Sequence, residues 1–142
     1  MNKLFIGISA VLLLVAFTGI SQANKPFTIT PSGLEYKDLK VGSGMEAQLG
    51  NTVVIHFVGW LSDNGQQGKE IFNSRRQRQP VSFKIGTDKV MQGWNEGVIG
   101  MQPDGRRMLR IPPELGYGAK AVDDVVPQNA HLIFIIELLE LK

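Results

Sequence analysis

The chain has 142 residues, of which 43% are hydrophobic and 20% charged, with 15 Lys and Arg against 13 Asp and Glu. This length and composition predict one globular domain and exclude a disordered or collagen-like chain. A net charge of +2 is too small to indicate a nucleic-acid-binding surface. Because the sequence contains no cysteine, disulfides, cysteine-ligated metals and thiol nucleophiles are excluded.

Residues 1–23 have the organisation of a secretory signal peptide. A basic start at Lys3 precedes an apolar stretch from 4 to 20, and Ser21-Gln22-Ala23 supplies the small residues that signal cleavage requires. We therefore expect cleavage after Ala23, export, and no stable association with the membrane afterwards. In a Gram-negative host the destination would be the periplasm. The alternative is an uncleaved anchor, because the 17 apolar residues approach the length that spans a bilayer.

The rest of the chain predicts an irregular arm at 24–33, rich in proline and glycine, and one domain at 34–142. One segment, 90–99, has apolar residues at helical spacing and predicts a short helix. The segment 130–141 is apolar on both faces, which is typical of a central strand. The fold class is therefore α+β: an antiparallel sheet of about five strands curled around one short helix. The predicted strands are 34–39, 52–61, 81–85, 106–111 and 130–141.

The sequence offers little conventional catalytic chemistry. His56 and His131 have no second histidine or carboxylate at ligand spacing, so both are interpreted as structural and no metal site is predicted. The acidic pair at 123–124 is typical of a solvated loop. The basic cluster at 75–78 lacks interleaved aromatic residues and is interpreted as loop surface rather than as a nucleic-acid site. No phosphate-binding or nucleophile-elbow motif occurs, and no cofactor is predicted.

Six aromatic residues from separate segments remain as candidates for a binding site. A core role accounts for them in part, but Tyr117 stands between two glycines in a loop where its hydroxyl needs a partner. Gly93 leaves room above the indole of Trp94 at the start of the predicted helix. An apolar cup with an indole floor suits a compact ring without donors, such as proline. The six residues are Phe57, Phe72, Phe83, Trp94, Tyr117 and Phe134.

The chain also resembles the FKBP-type peptidyl-prolyl cis-trans isomerases over about residues 34–142. Several separate motifs match this family in order and at nearly the same spacing. They are Lys69-Glu70-Ile71-Phe72-Asn73-Ser74, Val90-Met91-Gln92-Gly93-Trp94, Pro112-Pro113-Glu114-Leu115-Gly116-Tyr117-Gly118, Val126-Pro127 and the segment 132–139.

The resemblance implies a fold, an activity and a set of site residues. The fold is an antiparallel sheet around a short helix, and the partners are proline-containing polypeptides and macrolide inhibitors. Trp94 would form the pocket floor, the Tyr117 hydroxyl would donate to a carbonyl of the peptide, and the Met91 N–H would bond another. The implied catalytic residues are Tyr117, Trp94, Phe72 and Asn73. The implied substrate-binding residues are Phe57, Val90, Met91, Val126, Phe134 and Val81.

The sequence departs from the family pattern at three places. Phe57 replaces a usual tyrosine, and Asn73 replaces a usual aspartate. The two changes are consistent, because a buried carboxylate that lost its hydroxyl donor would be costly. The segment 75–80 is one residue shorter than usual, which makes Val81 an uncertain counterpart of a pocket phenylalanine and Arg78 an uncertain counterpart of a loop arginine.

The expected function is isomerisation of X–Pro bonds to assist the folding of exported proteins. This rotation has a barrier of about 18–20 kcal/mol but breaks no bond, so it needs no nucleophile, metal or proton shuttle. One alternative is a chaperone or peptide-binding module of the same fold with little catalysis, which the changes at Phe57 and Asn73 leave open. Another is a secreted adhesin or inhibitor that uses the aromatic loops as a binding patch.

Overall fold

The computed structural model describes residues 25–142. The signal peptide predicted at 1–23 lies outside the described residues, and so does its cleavage site. Within 25–142, no helix is both long and apolar enough to cross a bilayer.

The described residues form one antiparallel sheet and one α-helix, as the sequence predicts. Neighbouring strands pair in the order β1-β2-β6-β7-β3-β4, and β5 pairs with β3. Because β7 lies between β6 and β3, it is a central strand, which explains why it is apolar on both faces. The strands are β1 (Thr28–Ile29), β2 (Glu35–Lys40), β3 (Thr52–Asp63), β4 (Gln66–Asn73), β5 (Val81–Lys84), β6 (Arg106–Ile111) and β7 (Leu132–Leu141), and α1 (Gln92–Gly97) lies between β5 and β6.

The number of strands is larger than predicted, because β1 and β4 were not expected. The first four residues of β4 are exposed, and a polar edge strand lacks the alternation that identifies a half-buried strand. The turn at Asn64 and Gly65, both with positive φ (52° and 85°), folds β4 back along β3. The prediction of an irregular arm at 24–33 is wrong at Thr28–Ile29, which pairs with β2.

Helix α1 is shorter than the predicted 90–99, and glycines occupy its inner face. A Cβ on Gly93 would lie 2.7 Å from the Ile111 side chain, and one on Gly97 would lie 2.5 Å from Leu109. Leu109 and Ile111 are buried on one face of β6. The two glycines therefore let the helix backbone pack directly on β6, at the cost of helix propensity.

Both the arm before β2 and the end of the helix are fixed by polar side chains. Thr30 and Ser32 donate hydrogen bonds to the Glu96 carboxylate on α1, with distances from 2.6 to 2.8 Å. Arg107, 7% exposed, donates to the carbonyl oxygens of Gly97 and Ile99 beyond the helix end, at 3.0 and 2.7 Å. These contacts hold α1 between the arm and the sheet.

We expect Gly97→Ala to destabilise the protein. The added methyl group must displace the buried Leu109 side chain, and overpacking of this kind costs about 1–3 kcal/mol, which exceeds the roughly 1 kcal/mol that alanine gains over glycine in a helix. Urea denaturation followed by tryptophan fluorescence measures the free energy of unfolding. Gln92→Ala, at the exposed start of α1, is the control, and equal stability of the two variants would contradict the packing argument.

Candidate active site

A cavity of about 580 Å³ opens on the side of the sheet that α1 covers. Strands β3, β4 and β7, helix α1, the loop before the helix and the loop between β6 and β7 all contribute to it. Its lining residues are Phe57, Phe72, Asp88, Lys89, Val90, Met91, Trp94, Gly116, Tyr117, Lys120 and Phe134.

The indole of Trp94 lines this cavity and is held by other aromatic rings. The Phe57 ring lies 4.6 Å from it, centroid to centroid, and the Phe134 ring lies 5.3 Å from it, both edge to face. Phe83 packs at 5.9 Å. Trp94 is only 7% exposed, and its Nε1 has no hydrogen-bond partner among residues 25–142. The surrounding rings thus fix the orientation of the indole.

Tyr117, from the loop between β6 and β7, also lines the cavity. Its ring lies 6.5 Å from that of Phe72, centroid to centroid. The loop is fixed directly after it, because the Gly118 N–H donates to the Pro113 carbonyl at 2.8 Å and the Asn129 N–H donates to the Gly118 carbonyl at 2.8 Å. Burial raises the pKa of the Tyr117 hydroxyl above its usual value. The hydroxyl therefore remains a hydrogen-bond donor throughout the neutral pH range.

The loop that leads into α1 forms another side of the cavity. Val90 and Met91 contribute apolar side chains, while Asp88 and Lys89 place charges at the rim. The Met91 carbonyl accepts hydrogen bonds from Trp94 and Asn95 at 3.0 and 3.3 Å. Its own N–H donates to no backbone group of the described part of the chain outside regular helix and strand bonding.

Seven of the ten residues that the resemblance implied line this cavity, and three do not. Val81 lies on β5, opposite Ile55. Val126 is buried in the hydrophobic core. Asn73 ends β4, and its Oδ1 accepts the Arg75 N–H at 3.0 Å, so its side chain caps the following turn. The seven lining residues are Phe57, Phe72, Val90, Met91, Trp94, Tyr117 and Phe134.

Sequence reasoning missed four lining residues. Asp88 and Lys89 directly precede Val90, while Gly116 and Lys120 flank Tyr117. Their positions beside predicted site residues were the only available signal, since nothing in the residue types distinguishes them from ordinary loop residues.

The lining of the cavity is largely apolar, and its charged members are Asp88, Lys89 and Lys120. Within residues 25–142, no three His, Asp or Glu side chains come together as metal ligands. His56 contacts Ser74 at 2.8 Å, but Ser74 is fully buried and also accepts the Phe57 N–H, so the pair has a structural role.

A second cavity of about 590 Å³ lies near the turn between β3 and β4. Ser62, Arg110 and His131 contribute to it, and its lining includes no phenylalanine, tyrosine or tryptophan. Arg110 is already engaged there, because its Nε donates to the Gly65 carbonyl at 3.0 Å. The aromatic cavity is therefore the better candidate for an apolar ligand.

Comparison with known proteins defines the class to which this fold and cavity belong. The family model for FKBP-type peptidyl-prolyl cis-trans isomerases matches residues 43–139. An FK506-binding protein of Neisseria meningitidis serogroup B is 42% identical over 108 residues, which are 76% of this chain and 95% of that protein. FK506-binding protein 2 of Dictyostelium discoideum is 35% identical over 129 residues, covering 91% of this chain and 92% of that protein.

Two solved structures share the fold. FkpA from Escherichia coli superposes with a TM-score of 0.73 at 37% identity, covering 84% of this chain and 53% of that longer one. AtFKBP13 superposes with a TM-score of 0.72 at 35% identity, covering 82% of this chain and 98% of that one. The chain belongs to the FKBP-type peptidyl-prolyl cis-trans isomerase family, which confirms the resemblance, the fold class and the enzyme class.

Proposed function

We propose that the aromatic cavity is the site at which this isomerase binds proline, and that the enzyme assists the folding of exported proteins. The observation that carries the proposal is that the buried indole of Trp94 and the half-buried side chain of Tyr117 line the same cavity. The proline ring packs on Trp94 between Phe57 and Phe134. Tyr117 donates to a carbonyl of the bound peptide, and the Met91 N–H donates to another.

The cavity accelerates rotation through its environment rather than through covalent chemistry. A planar X–Pro amide is more polar than the twisted transition state, in which resonance is lost. An apolar cavity therefore removes water that stabilises the planar form, and its shape favours the twisted proline. About 4 kcal/mol of such differential stabilisation gives roughly a thousandfold acceleration.

Substitution of Tyr117 tests the site. Tyr117→Phe removes one hydrogen bond to the substrate, worth about 0.5–1.5 kcal/mol, so kcat/KM for a short X–Pro peptide should fall by about 2- to 12-fold. Tyr36→Phe is the matched control, because Tyr36 packs against Arg107 outside the cavity. Isomerisation is followed by NMR exchange, without a coupled protease.

Two results would count against this assignment. Equal rates for Tyr117→Phe and Tyr36→Phe would show that the Tyr117 hydroxyl does not contact the substrate. A folded wild-type protein that binds the peptide without accelerating it would favour the second candidate, a peptide-binding module or chaperone. The reason to test that candidate is that Phe57 and Asn73 replace the tyrosine and aspartate usual in the family.

A double-mutant cycle tests whether those two replacements are coupled. Asn73→Asp alone places a carboxylate beside Glu70, whose Oε1 now lies 3.4 Å from the Asn73 amide nitrogen. The hydroxyl added by Phe57→Tyr supplies a further donor to the new carboxylate, in addition to the Arg75 N–H that the Asn73 Oδ1 already accepts. We expect Asn73→Asp to lower affinity for FK506, and the double variant to exceed both single variants. Isothermal titration calorimetry measures the four affinities, and strictly additive effects would show that the positions are independent.

The export proposal rests on the pattern of residues 1–23. In a host that exports the protein, the recovered chain should begin at Asn24, because Ser21-Gln22-Ala23 fits the requirement of signal cleavage for small residues. Intact-mass measurement identifies the new terminus. Ala23→Arg should block cleavage and leave the uncut chain with the membrane fraction. A wild-type chain that keeps residues 1–23 in that fraction would instead support the uncleaved anchor.

A further inference from the structure

Asn95 is a buried polar residue beside the cavity that the proposed mechanism does not use. It follows Trp94 on α1 and is 3% exposed. Its Oδ1 accepts the Gly86 N–H at 2.8 Å, and its Nδ2 donates to the Thr87 carbonyl at 2.7 Å. Both ends of the amide are therefore satisfied by one loop, as burial of a polar group requires.

That loop, residues 86–91, forms a whole wall of the cavity. It contributes Asp88, Lys89, Val90 and Met91 to the lining. Toward β5, the only other hydrogen bonds of this loop among the described residues are made by Thr87. Its Oγ1 donates to the Lys84 carbonyl at 2.9 Å, and its N–H contacts the same oxygen at 3.4 Å. No hydrogen bond between backbone groups of the described residues fixes residues 88–90 themselves.

The start of the loop also has a constrained backbone. Gly86 adopts a φ of +99°, and a Cβ there would lie 2.6 Å from Leu49. The loop therefore turns in a conformation that only glycine adopts readily, and the Asn95 amide bonds to the peptide groups on both sides of that turn.

We propose that Asn95 is a positioning residue for isomerisation, which ties the loop 86–91 to the helix that carries Trp94. This inference rests on the proposed function of the cavity as the proline site. One short helix then sets both the floor, through Trp94, and the adjacent wall, through Asn95. The distance between Trp94 and the loop 86–91 then stays constant when a peptide binds, so the loop is ordered before binding.

The amide is the group that this position requires. It presents one acceptor to the Gly86 N–H and one donor to the Thr87 carbonyl. An ionised carboxylate in the same place would keep the first bond but set two oxygens against each other at Thr87. A protonated carboxyl could again donate to Thr87. In Asn95→Asp, the bond to Gly86 therefore does not depend on protonation, whereas the bond to Thr87 forms only when the carboxyl is protonated. The shape of the side chain hardly changes.

The charged groups around Asn95 belong to the loop and to the helix. Asp88 and Lys89 on the loop are exposed. Glu96, the next residue on α1, is engaged by Thr30 and Ser32 of the arm. A carboxyl introduced at position 95 is thus buried without a charged partner among these groups, and burial raises its pKa.

The experiment measures KM and kcat of the purified protein on a short X–Pro peptide by NMR exchange between about pH 8 and pH 5. At the upper pH, Asn95→Asp should raise KM by about 2- to 10-fold with a smaller effect on kcat, because one hydrogen bond to the wall is lost. At the lower pH, protonation should restore KM toward the wild-type value. The control, Gln92→Glu, adds the same charge at the exposed start of α1 and should give a wild-type profile.

Two results would overturn the role of Asn95. One is a wild-type KM for Asn95→Asp at the upper pH, and the other is a loss that does not change with pH, as a purely structural defect would give. If neither the wild type nor Gln92→Glu accelerates isomerisation, the proposed function fails instead.

Hydrogen exchange in the wild type provides a measurement that does not depend on folding of the variant. The Gly86 amide should be protected relative to the Asp88 amide, because only Gly86 donates to Asn95. Equal exchange at the two amides would also contradict the proposal.

Discussion

The direct contact between helix α1 and strand β6 determines the rest of the site. A helix of six residues is too short to be stable by itself, so its position comes entirely from what it packs against. Gly93 and Gly97 remove the side chains that would hold it away from Leu109 and Ile111. With the helix this close to the sheet, the Trp94 indole lies among Phe57, Phe83 and Phe134 rather than in solvent.

Polar contacts also fix the position of helix α1. Arg107 satisfies carbonyls at the end of the helix and also bonds the Asp38 carboxylate at 2.7 Å, which joins α1 to β2 and β6. Glu96 joins the helix to the arm. A buried arginine contributes only when its donors are engaged, and the partners of Arg107 come from two separate parts of the chain, β2 and the end of α1. The helix that carries the cavity floor is thus fixed from its end, its inner face and its outer face.

The sequence predicted the features that depend on local pattern and missed those that depend on distant partners. The central strand β7 could be predicted, because apolar residues on both faces of a segment are a local signal. Strand β4 is polar at its exposed start and is a strand only because β3 lies beside it. Gly93 and Gly97 lower the helix propensity of their segment, and the β6 side chains that require them are remote in sequence. Family resemblance supplied most of the cavity lining, but it could not show that Asn73 caps the turn after β4.

The chemistry of the cavity explains why its geometry must be so well determined. Here the enzyme class requires only rotation about an amide, and the proposed site offers apolar enclosure and a few hydrogen bonds. Differential binding of the twisted amide then depends on the distances between floor, wall and Tyr117. A neutral amide at position 95 keeps the wall attached without a titrating group, and the burial that raises the pKa of Tyr117 keeps its hydroxyl protonated. The same geometry is therefore preserved across the neutral pH range.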